Sequence, residues 1–114
     1  MAKDPNVITF FRGDTYPRAF TITDGGAPVD LTDCTAVLTV ATVEEPVDDT
    51  TKLFQVSGVL NADPKTGLVS FTPTAANNGV VGEYFYDIQI TTVNGHIRTP
   101  IKSTYIINQD ITKV

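Results

Sequence analysis

Apolar and polar positions along this chain alternate with period two. In "GEYFYDIQITT" (Gly82–Thr92), Tyr84, Tyr86, Ile88 and Ile90 fall on one side. Glu83, Asp87, Gln89 and Thr91 fall on the other, with Phe85 the exception. That period is what a half-buried β-strand requires, and no segment carries the 3.6-residue period of an amphipathic helix. "NVITFF" (Asn6–Phe11) reads as a first strand at a sheet edge. "TYPRAFTIT" (Thr15–Thr23) reads as the next, with Tyr16, Arg18, Phe20 and Ile22 on one side. Pro17 removes a ladder donor there, which predicts an edge or a bulge. "TAVLTVATV" (Thr35–Val43) predicts a strand buried on both faces, and "LFQVSGVL" (Leu53–Leu60) another strand. "LVSFT" (Leu68–Thr72) predicts a short strand antiparallel to its predecessor. "IRTPIKSTYIIN" (Ile97–Asn108) pairs back on Gly82–Thr92, kinked or bulged at Pro100.

Turn chemistry separates these runs. "DGGAP" (Asp24–Pro28) is a turn, and "VDLTDC" (Val29–Cys34) is a short loop with Leu31 tucked in. "EEPVDDTTK" (Glu44–Lys52) is the longest exposed loop, and "NADPKTG" (Asn61–Gly67) is another loop. "PTAANNG" (Pro73–Gly79) suits one helical turn, with Pro at its start and Gly at its end. Asn94-Gly95 is a strong hairpin signal. The sum is about seven to eight strands, with turns roughly every 8–12 residues, the spacing of a sandwich or barrel. The predicted fold class is all-β, an Ig-like antiparallel β-sandwich. Residues 1–114 make a single domain with short tails at 1–5 and 110–114. With no Trp and one Cys, the Cys…Trp…Cys core of antibody domains is absent, so only the architecture carries over.

Composition narrows the function classes. A chain of 114 residues buries roughly two-thirds of its unfolded surface, enough for one core without staples. No apolar run approaches the ~20 residues of a membrane helix, and no basic amphipathic helix suggests membrane binding. "MAKDPNVITFF" lacks the apolar core and cleavage site of a secretory signal. Synthesis in the cytoplasm, or packaging into a particle assembled there, is therefore expected, and the lone Cys34 fits a reducing compartment. Eight basic against 13 acidic residues give a net charge of −5 with the basic residues scattered, a poor match to a phosphate backbone.

The order of landmarks adds a resemblance. "RGDTYPRAFTITDGGAPVDLTDCTAVLTV" is followed by "GLVSFTPTAAN", "GEYFYDIQIT", "NGHIRTPIKSTYII" and a closing "DIT". This order resembles the small Ig-like β-sandwich domains of tailed-bacteriophage and prophage structural proteins. It is similar to the N-terminal domain of the baseplate upper protein family and related tail modules. The resemblance runs from about Phe10 to Ile111. It is carried by the order of strand and turn residues, not by any one motif. It implies a non-enzymatic tail or baseplate component of the virion, assembled in a bacterial cytoplasm. Its implied partners are other phage structural proteins and copies of itself. No cofactor, metal, nucleic acid, membrane or small-molecule ligand is expected. The competing readings are an adhesin-like module binding carbohydrate or protein, and a head accessory protein. In longer relatives further domains follow this kind of module, whereas this sequence ends at Val114.

Individual residues offer little chemistry. His96, the only His, has no second His for a dyad or metal cluster, and it falls at a hairpin end. Cys34 is flanked by Asp33 and Thr35, which do not favour a thiolate. Ser57, Ser70 and Ser103 lie in strands, outside any nucleophile elbow. The glycines of "DGGAP" form neither a dinucleotide nor a Walker loop. Glu44, Glu45, Asp48 and Asp49 lack EF-hand spacing and read as a solvated loop. Tyr84, Phe85 and Tyr86 have the ring content of a sugar platform, but alternation puts the tyrosines in the core with their hydroxyls near its edge. Arg12-Gly13-Asp14 matches an integrin-binding tripeptide. Between two apolar strands it reads better as a corner, with Gly13 supplying the bend and Asp14 bonding the backbone two residues on. The candidate interface residues are Val7, Ile8, Phe10, Phe85, Asp110 and Ile111, with the loop Glu44–Lys52.

Overall fold

The computed structural model describes residues 6–44 and 49–109. Ten strands follow in chain order: β1 (Ile8–Phe11), β2 (Arg18–Thr21), β3 (Thr23–Asp24), β4 (Ala27–Pro28) and β5 (Thr35–Ala41), then β6 (Lys52–Ser57), β7 (Val59–Leu60), β8 (Leu68–Phe71), β9 (Gly82–Thr91) and β10 (Ile97–Asn108). Five form one sheet in the order β1-β10-β9-β5-β6, and three form a second in the order β2-β8-β7. β3 and β4 make a two-residue hairpin. The fold is the expected all-β, Ig-like sandwich. One pairing departs from the antiparallel expectation: β1 runs parallel to β10, with Ile8 opposite Tyr105 and Phe11 opposite Asn108. Alternation encodes which face a residue takes but not the direction of the neighbouring strand.

The core lies where the inner faces meet. β9 supplies Tyr84, Tyr86, Ile88 and Ile90, as its alternation predicts. β5 adds Ala36, Leu38 and Val40, and β8 adds Val69 and Phe71. Leu31 is fully buried, as expected for a loop residue tucked inward. From the second strand run only Phe20 and Ile22 reach the core. Tyr16 is exposed and Arg18 half-buried, because β2 begins only at Arg18.

Tyr84, near the start of β9, donates its hydroxyl to the Val80 carbonyl at 2.9 Å. A tyrosine anchoring the corner before this strand is a hallmark of Ig-type sandwiches. In antibody domains an inter-sheet disulfide holds the position two residues further on. Here that position is Tyr86, whose ring meets Phe20 of β2 at 6.2 Å. Phe20 also meets Phe71 at 6.1 Å. Such ring pairs contribute about 0.5–1.5 kcal/mol each beyond their area burial, so aromatic packing joins the sheets where a disulfide would.

Leu53–Leu60 is not one strand. It leaves the larger sheet as β6, passes Gly58, and enters the smaller sheet as β7. The Gly58 N–H donates to the Ala36 carbonyl at 2.8 Å. A Cβ at Gly58 would sit 2.7 Å from Val69 Cγ2 and 2.8 Å from the Phe71 ring. The crossing therefore needs a residue without a side chain. Pro100 has the predicted effect: the β9–β10 register shifts between Arg98 and Ile101.

Candidate functional site

The Arg12-Gly13-Asp14 segment is a corner, built more elaborately than its sequence suggests. The Asp14 N–H donates to the Phe11 carbonyl at 3.0 Å, closing a four-residue turn. Gly13 sits third in it with φ of 84°, a value that favours glycine. The Asp14 carboxylate accepts the Phe11 N–H at 2.8 Å. The carboxylate thus reaches three residues back along the chain, not two residues on, because the reversal brings the end of β1 over it. The Arg12 N–H donates to the Asn108 carbonyl at 2.8 Å, holding the corner to the end of β10.

Asn78 fixes this corner to the rest of the sandwich. It is the buried polar residue among the described positions. Its carbonyl accepts the Gly13 N–H at 2.9 Å. Its side-chain amide donates to the Asp14 carbonyl at 2.7 Å. Its side-chain oxygen accepts the Tyr105 hydroxyl at 2.6 Å. Burial pushes the Tyr105 phenol well above its ordinary range, against the smaller opposing effect of the Asn78 bond, so the hydroxyl stays a donor. Asn78 is presented by the single helical turn the sequence predicts. Thr74 and Asn77 cap that turn reciprocally: the Asn77 N–H donates to Thr74 Oγ1 at 3.1 Å, and the Thr74 N–H to Asn77 Oδ1 at 2.8 Å.

The node sits at an apolar end of the sandwich. The register places the close of β1, the close of β10, the start of β9, the close of β5 and the start of β6 at the same end. Nine large hydrophobic side chains are exposed among the described residues, and six belong to this end: Phe11, Tyr16, Val43, Leu53, Val80 and Val81. Each is at least 40% exposed. Tyr16 packs edge-on against Phe10 at 6.3 Å and leaves the rest of its ring to solvent. Clustered exposed apolar side chains mark interaction surfaces far more than scattered ones do.

Of the predicted interface residues, Ile8 and Phe10 belong to the core and offer no side chain to a partner. Their alternation leaves Thr9 and Phe11 facing out, so Phe11 is the surface aromatic of β1. Val7 is half-buried. Phe85 is half-buried, opposite Thr104 on one side and Ala41 on the other, on the outer face of the larger sheet. Asp110 and Ile111 lie outside the described residues, as do Glu45 and Asp48 of the acidic loop. Sequence reasoning missed Tyr16, Val80, Val81 and Asn78. Val80-Val81, between Gly79 and Gly82, was the available signal.

The reactive side chains are dispersed. Burial raises the Cys34 thiol pKa, and the negative charges of Asp30 and Asp33 add to that, so the nucleophilic thiolate is disfavoured. His96 is exposed in the β9–β10 hairpin, where its backbone N–H donates to Thr92 Oγ1 at 3.1 Å. Ser57, Ser70 and Ser103 lie on β6, β8 and β10. Among the described residues no three His, Cys, Asp or Glu side chains gather into a metal-binding group. A cavity of about 70 Å³ near Cys34 is lined by Ile22, Val29, Ile90 and Arg98. It has room for a few waters. No protein-family model matches the chain, and no curated protein matches its sequence.

Proposed function

We propose that this chain is a non-enzymatic structural protein of a tailed-bacteriophage or prophage particle, placed in its tail or baseplate and acting through protein–protein contacts. The observation that carries the reading is the apolar end: six exposed large hydrophobic side chains at the end of the sandwich that also carries the hydrogen-bonded corner. Burial of such a surface against a neighbour is worth roughly 25 cal/mol per Å² of apolar area removed from water. A corner already held in one shape loses little conformational freedom on docking. The placement in a phage particle rests on the order of strand and turn landmarks, which resembles baseplate and tail modules.

The Arg-Gly-Asp tripeptide favours this reading over adhesion. Its carboxylate is engaged by a backbone N–H of its own turn, and an adhesive loop presents that group free. The test is the composition of particles purified from a host expressing the chain. Mass spectrometry should find the wild-type protein in the particles. The double variant Phe11→Ser, Val80→Ser, with wild-type circular dichroism, should be depleted at least tenfold. A wild-type chain absent from the particles and monomeric at high concentration would overturn the proposal.

A further inference from the structure

A different surface carries a second association. Among the described residues, β6 closes one side of the larger sheet, with β5 as its strand neighbour on one side only. An open strand edge presents unpaired N–H and C=O groups, and proteins usually guard it with Pro, a bulge, Lys or shortness. The other edges here are guarded. The stretch of β10 beyond β1 carries Pro100, a bulge and Lys102. β1 and β2 have four residues each and β7 has two. On β6 the guards stop early: Lys52 and the register shift opposite Val40 and Ala41 occupy its start. Phe54–Ser57 follows with no charge and no proline.

Facing along this segment is fixed. Phe54 and Val56 pair with Val40 and Leu38 of the core and are themselves half-buried, since no strand among the described residues covers their outer flank. Gln55 faces outward, where its side-chain amide donates to Thr39 Oγ1 at 3.0 Å.

We propose that β6 pairs antiparallel with β6 of a second copy, about a two-fold axis at Gln55, joining two five-stranded sheets into one. Residues directly opposite in an antiparallel pair share a face. A two-fold pairing that keeps inner face with inner face therefore matches residues of equal parity. Centred on Gln55, it sets Phe54 opposite Val56 twice, covering both half-buried side chains on the inner face. Gln55 meets Gln55 on the outer face. Lys52 falls opposite Gly58, so no like charges meet, even though each chain carries a net charge of −5. Such an interface is self-complementary and closed, and strand addition to a sheet edge supplies main-chain hydrogen bonds. A single strand edge buries less than the ~1,200 Å² of a standard stable interface, so the dimer is weak and concentration-dependent. This surface shares only Leu53 with the apolar end and does not rest on the phage reading.

Sedimentation equilibrium of the full chain from micromolar to millimolar concentration tests it. The wild-type weight-average mass should climb toward twice the chain mass. Gln55→Lys and Gln55→Glu, each alone, put like charges directly opposite across the axis and should weaken association about fivefold or more. An equimolar mixture of the two should recover at least wild-type association. Either variant serves alone if the other fails to fold by circular dichroism. A wild-type chain that stays monomeric, variants that dimerise as well as wild type, or a mixture without recovery would overturn the pairing. Normal incorporation into particles alongside any of those results removes the β6 dimer and leaves the assembly reading standing.

Discussion

Asn78→Ala is expected to lower stability by about 3 kcal/mol, a large share of the roughly 5–15 kcal/mol that holds a domain folded. The substitution strips the Tyr105 hydroxyl of its 2.6 Å partner inside the core, and leaving a buried donor unmade costs about 1–3 kcal/mol. It also removes the 2.7 Å bond to the Asp14 carbonyl and opens space in the core. Urea denaturation followed by tyrosine fluorescence measures the loss. Tyr105→Phe should cost about 1–2 kcal/mol, because it strands the Asn78 oxygen in turn. The double variant Asn78→Ala, Tyr105→Phe should cost less than the sum of the two, since neither partner is then left unmet. Strict additivity, or a loss under about 0.5 kcal/mol for Asn78→Ala, would remove Asn78 from the centre of this account.

Gly67→Ala is the second large effect, expected at about 3 kcal/mol or more. Gly67 ends the 3-10 turn Pro64–Thr66 in a left-handed conformation with φ of 72°. Its carbonyl accepts the Ile22 N–H at 2.8 Å. A Cβ there would lie 2.6 Å from the Ile22 carbonyl oxygen and 3.2 Å from both Val29 N and Val29 O. These neighbours are backbone atoms held by their own hydrogen bonds, since the Val29 N–H donates to the Ile22 carbonyl at 2.9 Å. They cannot turn aside as a side chain can. Gly95→Ala is the control. Its φ is 85°, but a Cβ there meets nothing within 4 Å, so it bears only the left-handed cost of about 1–2 kcal/mol. Equal midpoints for the two variants in urea would show that the close approach at Gly67 carries no energy.

Local pattern made much of the fold legible. The alternation of Gly82–Thr91 places four side chains in the core and leaves Phe85 facing out. Asp24–Pro28 forms its turn, Leu31 its buried loop contact, and Pro100 its register break. What stayed hidden depends on distant partners. Nothing in "AANNG" says that the second Asn is buried and the first caps a turn. That choice is made by Tyr105 and by Asp14, which is 64 residues away. The parallel course of β1 is set by where β10 ends, not by the composition of "ITFF". The apolar run Leu53–Leu60 reads as one strand because Gly58 looks like a local weakness, and its purpose appears only against Val69 and Phe71. The corner at Arg12-Gly13-Asp14 was legible as a corner. The surface beside it was not, because the chain segments that carry Tyr16 and Val80-Val81 are tied to one end by the Asn78 node and not by any local pattern.

Hydrogen–deuterium exchange, compared between the free chain and the chain in purified particles, decides whether the corner end is the docking surface. Exchange should slow in the particle at peptides spanning Phe11–Tyr16 and Gly79–Gly82, with the β9–β10 hairpin at the opposite end unchanged. Slowing confined to that hairpin, or exchange identical in both states, would contradict it.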